Sequence, residues 1–251
     1  MDRTLLTKHI EAIGARVRFE PGPDGRGASR FAASGIDVRE DKRGEHFLLN
    51  FADDLPVEVI DSKPNLRHLL LLVREGAEKQ KFLLGHDERH WFVAAVPGQS
   101  VRSVGTAMAA LRPAEVQSGE GRVRRQGEWF FVPRPVLNPN PNLVHRNEPI
   151  SRGRGSKPHV CEELFRTGGV TVCVCRQRPN GVSENEMNAI IAARPEARLW
   201  NWRRMVRDAS VYVRGKIRHA DHATLRLDGW HQVYLNNERF ASWAEQVVFL
   251  D

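Results

Sequence analysis

Hydrophobic and polar positions alternate along most of this chain in short runs, the pattern of half-buried strands. Such runs occupy residues 46–51, 57–60, 67–74, 81–84, 91–96 and 128–132, then 170–175, 211–218, 223–227 and 231–235. The short polar connector 75–79 predicts a hairpin. Helical spacing is rarer. Leu5, Ile10 and Ile13 share one face of a helix over 4–15, and a small-residue helix over 100–111 stops at Pro113. Ser183 and Glu186 have capping-box spacing and open a helix that closes before Pro195.

Other stretches are more ambiguous. Residues 160–165 read as a helical turn ended by Gly168 and Gly169, and 198–207 as a basic helix or an extended aromatic segment. Residues 22–35 form a turn-rich loop, and 240–250 a helix or last strand. No regular alternation of strand and helix appears. The expected fold is therefore α+β: mainly antiparallel sheet of short strands with a few flanking helices. Residues 133–149 carry five prolines and four asparagines, which suits neither a helix nor a central strand. They divide the chain into a β-rich domain over 1–134, a linker or crossover over 135–149, and a basic α+β domain over 150–251.

Length and composition bound the rest. A chain of 251 residues holds one large core or two modest ones. Its start lacks the apolar core of a signal peptide, and its longest apolar run, 69–73, is too short to cross a bilayer. Three cysteines, two of them two residues apart on one strand, do not suit a disulfide framework. A reducing cytoplasm is the expected compartment. The net charge of +7 is locally concentrated: residues 144–178 hold seven Lys and Arg against three acids, and 198–218 hold seven against one. Such a field suggests a face for a polyanion, though a solvated basic surface has the same composition.

Three sets of residues carry candidate chemistry. The first is His159 with Cys161, Cys173 and Cys175, whose nitrogen and thiolate donors suit zinc or another divalent metal. The spacings are not those of familiar zinc knuckles, and burial inside a strand is the stronger expectation for the cysteines. The second set is two histidine-rich turns, His86 and His90 in one and His219, His222 and His231 in the other. Together with His159, the later histidines suit acid–base or metal-assisted cleavage of a phosphodiester. A return between two strands is expected to bring His222 and His231 together. The third set mixes basic and aromatic residues: Arg152, Arg154, Lys157 and Arg166, then Trp200, Arg203 and Arg204. Guanidinium groups meet phosphates and indoles stack on bases.

These features predict a nucleic-acid-binding protein, for RNA or single-stranded DNA, that cleaves phosphodiesters through its histidines. A non-enzymatic, structural interaction subunit of a larger assembly is the alternative, its basic face docking on an acidic protein partner. A metal-dependent hydrolase of a small substrate, with His86, His90, His222 and His231 in one pocket, is the third reading. The leading reading requires the arm 152–157, the basic stretch 198–218 and the turn 219–231 to lie together.

Overall fold

The computed structural model describes residues 1–21, 35–51, 54–75, 78–87, 89–98, 100–117, 123–151 and 157–238. Residues 22–34 of the expected loop over 22–35, and the tail 240–250, lie outside them, while Gly35 opens a strand. The described residues form two compact units, 1–117 with 236–238, and 123–235. Most of the structure is antiparallel sheet. Among the described residues no helix is long and apolar enough to cross a membrane.

In the first unit, helix α1 (Arg3–Ala12) starts where the Asp2 side chain accepts the Leu5 N–H. Strands β1 (Val17–Pro21), β2 (Gly35–Asp41) and β3 (Gly44–Phe51) form one sheet in the order β1-β3-β2, with β1 parallel to β3. Strands β4 (Val57–Lys63), β5 (His68–Glu75), β6 (Glu78–Asp87) and β7 (His90–Val96) form an antiparallel meander. Helices α2 (Val104–Ala110) and α3 (Ala114–Gln117) follow.

The unbroken apolar run of β5 has a physical reason: both of its faces are covered. Leu69, Leu71 and Val73 join a core with Leu6, Ile10 and Phe47, whereas Leu70 joins a second core with Val104, Ala107 and Leu111 of the α2 segment.

The second unit is built on a six-stranded antiparallel sheet in the order β10-β11-β15-β16-β9-β8. Its strands are β8 (Arg124–Gln126), β9 (Trp129–Pro133), β10 (Val144–Ile150), β11 (His159–Thr167), β15 (Ser210–Arg218) and β16 (Leu225–Leu235). Its core holds Trp129, Phe131, Ile150, Cys161, Leu164, Val213, Ile217 and Leu227. Between β11 and β15 the chain makes a smaller sheet of β12 (Val170–Cys175), β13 (Arg178–Val182) and β14 (Arg203–Arg207), with helix α4 (Glu184–Ala193). The expected capping box at Ser183 and Glu186 is present.

Several sequence expectations are corrected here. Residues 160–165 are strand, not helix. A bulge between Cys161 and Glu163 breaks the alternation that marks a strand and sets Glu162 beside Glu163. Gly215 makes room for the bulge: its φ is +82°, and a Cβ there would fall 2.6 Å from Glu162 Oε2. The runs 223–227 and 231–235 are parts of one strand, β16. Residues 198–207 are the end of a 3₁₀ turn, Pro195–Leu199, followed by β14. The proline-rich segment does not separate the units. β9, which precedes it, pairs with β8 and β16 in the same sheet as β10, which follows it, so the division falls before residue 123.

In the first unit Asp41 ties β1 to the β2–β3 turn through Arg16 at 2.8 Å, Arg18 at 2.6 Å and the Arg43 N–H at 2.7 Å. The Arg16 hydrogen bond, then the Arg43 N–H, holds the Asp41 carboxyl down to about 2. Its contribution is therefore complete above the unfolded value near 4 and is lost as pH falls toward 2. Asp41→Asn should lower the urea midpoint at pH 5, with the gap to the parent protein closing toward pH 2. An equal gap at both pH values would show that the carboxylate charge is not its source.

Candidate metal centre

The pairing of β11 with β15 begins to build the site. Val160 lies opposite Arg218, so His159 at the start of β11 faces the segment that leaves β15. That segment, His-Ala-Asp-His, turns back before β16 and places His219 and His222 against His159. The far edge of the sheet also comes round to the site. Gln126 Nε2 donates to the Ala223 carbonyl at 2.5 Å, and the Trp129 ring lies edge-on to His159 with centroids 6.3 Å apart. Gly127, in the two-residue β8–β9 turn, has φ +57°, and a Cβ there would sit 2.9 Å from His222 Nε2. A glycine is thus needed twice at this point, for the turn and for the approach of the imidazole.

The three imidazoles form a stack. Ring centroids are 4.1 Å apart for His159 and His219, 4.7 Å for His219 and His222, and 5.8 Å for His159 and His222. One ligand-type nitrogen from each ring lies within 4.8 Å of those of the others. His159 is 1 % exposed, and neither of its ring nitrogens meets a hydrogen-bond partner among the described residues. Burying a polar group unpaired costs about 1–3 kcal/mol, so such a group calls for a physical account. Burial, followed by the neighbouring His219 and His222, pushes the His159 imidazole down to about 3. It is neutral at pH 7, the state in which imidazole ligates metals.

The His219 ring is held by two hydrogen bonds. His219 Nδ1 accepts the Asp221 N–H at 3.1 Å, so its Nε2–H is the donor to the Lys157 carbonyl at 3.2 Å. An outer contact from ring N–H to a backbone carbonyl is the usual support for a metal-ligating histidine. A cation taken up at Nδ1 would replace the Asp221 N–H there. Lys157 Nζ in turn lies 2.7 Å from Asp221 Oδ1, fixing the turn from the outside. The donor set is three imidazole nitrogens, which fits a zinc-type divalent ion and not an oxygen-seeking one such as magnesium.

The sequence candidates are partly gathered here. His159, His219 and His222 come together, with Lys157 at their rim. His231 does not join them: it lies mid-strand opposite Val213, and its Nδ1 contacts the Gly229 carbonyl at 2.8 Å. Because Leu225–Leu235 is one strand, the expected return between His222 and His231 does not occur. Among the described residues the proposed set of His159 and three cysteines is not a ligand group either. Cys161 is buried in the core of the six-stranded sheet, its thiol pushed up to about 12 by burial, whereas Cys173 and Cys175 are buried in the smaller sheet. Arg166, expected to meet a polyanion, bridges to Glu148 on β10 at 3.2 Å with a side chain only 14 % exposed. Arg152 and Arg154 lie outside the described residues.

Trp200, Arg203 and Arg204 sit in the excursion that leaves β11 at Thr167 and returns at Ser210, the opposite ends of the strands that carry His159 and His219. The three basic and histidine-rich segments therefore do not all converge. His90 and His86 belong to the first unit, where His90 Nδ1 lies 2.7 Å from Glu45 Oε1 and His86 is edge-on to Trp91. Gln126, Gly127 and Trp129, by contrast, were not legible as site residues, since they precede His222 by more than ninety positions with no motif linking them. No known protein family, curated protein or solved structure matches this chain.

The low basicity of His159 sets a direction for pH. In the unfolded chain the imidazole takes up a proton near pH 6.5, but in the folded chain only near 3. Stability is therefore intact above 6.5 and falls as pH drops between these values, by up to about 1.4 kcal/mol per pH unit. In chelator-treated protein, His159→Phe should lose less stability between pH 7 and 5 than the parent, measured by urea unfolding. Equal losses would mean that His159 does not stay neutral in the folded state.

Proposed function

We propose that the second unit is a metal-dependent hydrolytic domain acting on phosphodiesters of nucleic acid, with His159, His219 and His222 holding a zinc-type cation. The observation that carries this reading is His159: buried, neutral, without a hydrogen-bond partner among the described residues, and stacked within ligand distance of two more imidazoles. A divalent cation held by three nitrogens keeps a coordination position open and acts as a Lewis acid toward a phosphoryl oxygen. The chain's own residues would do the rest. Asp221 and Lys157 hold the His219–His222 turn through their ion pair at its rim.

Three free, buried cysteines support a reducing, cytoplasmic setting. The four helices beside these sheets favour an α+β description of the fold. A second reading, a non-enzymatic structural subunit, is favoured by the same burial of His159, since a closed metal site serves folding.

Metal analysis of protein purified with zinc in the medium should give about one equivalent, lost in His159→Ala and His222→Ala. Added zinc at a hundred times its dissociation constant should stabilise the parent by about 2.7 kcal/mol and neither variant. A parent protein that neither retains nor responds to zinc, manganese, cobalt or nickel would rule the centre out. Metal uptake without cleavage of a single-stranded oligonucleotide would leave the structural reading in its place.

A further inference from the structure

β11 and β15 are adjacent antiparallel strands whose ends, Thr167 and Ser210, are paired, so a short turn would suffice to join them. Instead the chain spends residues 168–209 on a separate small sheet and helix. This excursion holds seven arginines against four acids. Two of those acids are matched within it: Glu184 by Arg204 at 2.5 Å and Asp208 by Arg207 at 3.5 Å. A third, Glu186, is turned to the Ser183 N–H and hydroxyl as a helix cap. The remaining arginines, at 176, 178, 194, 198 and 203, are all exposed.

An apolar corner stands among these charges. Pro195–Leu199 ends in a 3₁₀ turn, and Asn201, with φ +53°, reverses the chain between Trp200 and Trp202. Leu199 is 82 % exposed at that corner. The two indoles lie 6.0 Å apart and are tilted by 31°, but they are not equivalent. Trp202 donates its Nε1–H to the Ala197 carbonyl at 2.8 Å and so is anchored. Trp200 has no such tie among the described residues, and its half-buried ring stands between Arg198 and Arg203 in sequence.

We propose that this excursion is a platform for single-stranded nucleic acid, on which Trp200 stacks a base and Arg198 and Arg203 meet the flanking phosphates. It rests on the nucleic-acid half of the function proposed above. It adds that strand binding and the histidine centre are separate parts of the second unit, at opposite ends of β11 and β15. An indole between guanidinium groups suits unstacked bases. The helix of the excursion, by contrast, carries Glu184 and Glu186 in its first turn and no basic residue in its last, which does not suit a major groove. An acidic protein surface would satisfy the arginines but offers no ring for Trp200.

The test is fluorescence anisotropy of the full-length chain with labelled twenty-residue oligo-dT and oligo-U. If three to four phosphates are neutralised, affinity should fall roughly 20- to 50-fold between 50 and 200 mM salt. Trp200→Ala should weaken binding at least about fivefold. The exposed double variant Arg198→Ala/Arg203→Ala should weaken it and reduce the salt dependence. Absence of binding by the parent at low salt would overturn both this inference and the nucleic-acid reading. Binding that all the excursion variants share with the parent would overturn this inference alone. So would displacement of the oligonucleotide by polyglutamate of equal charge as readily as by unlabelled strand, an outcome that marks the face as a protein-docking one.

Discussion

The register between β11 and β15 is the constraint on which the second unit depends. It sets Val160 against Arg218, so that His159 meets the histidines that leave β15, and it sets Thr167 against Ser210, so that the excursion has a fixed base. A slip of one residue would turn each side chain of a strand to the other face. Cys161, Leu164 and Ile217 would leave the core, and His159 would leave the imidazole stack. The bulge at Cys161–Glu163 helps fix that register, and Gly215 permits it by leaving space for Glu162, whose carboxylate also accepts the Lys216 N–H at 2.7 Å.

The chemistry of the histidine group follows from the low dielectric of its setting. Three imidazoles within stacking distance cannot all be protonated, because like charges so close repel strongly where water is excluded. Burial, and after it the neighbouring His219 and His222, holds His159 neutral. His219 is oriented by two backbone groups, the Asp221 N–H at Nδ1 and the Lys157 carbonyl at Nε2. Such a group is either an expensive way to fill a core or a pre-arranged set of nitrogen donors, in which a zinc-type cation would give one of the His159 nitrogens a partner.

Much of the fold was legible because it depends on local rules. The β5 run, the capping box at Ser183 and the many short antiparallel strands follow from periodicity and capping chemistry. What local reading missed has particular causes. The strand β11 was hidden by its bulge. β10 was hidden by Pro149, which lacks an N–H to give to a ladder but is tolerated in an edge strand. The break expected at the proline-rich segment did not separate the units because β9 pairs with β16, a contact some hundred residues distant in sequence.

The sequence alone determined the residue types available for chemistry: His159, His219 and His222, a cluster of arginines, and two tryptophans two positions apart. It also determined that Cys173 and Cys175 would sit in one strand. Only the tertiary structure decided which of these meet. Pairing of β11 with β15 joined His159 to a turn sixty residues later, and the return of the β8–β9 turn closed the site with Gly127, which no pattern marks. The same pairing left His231 in mid-strand and carried Trp200 and Arg203 to the other end of the sheet. Side-chain chemistry is written residue by residue, but proximity between distant residues is set by strand register and sheet order, which arise only when the whole core is buried at once.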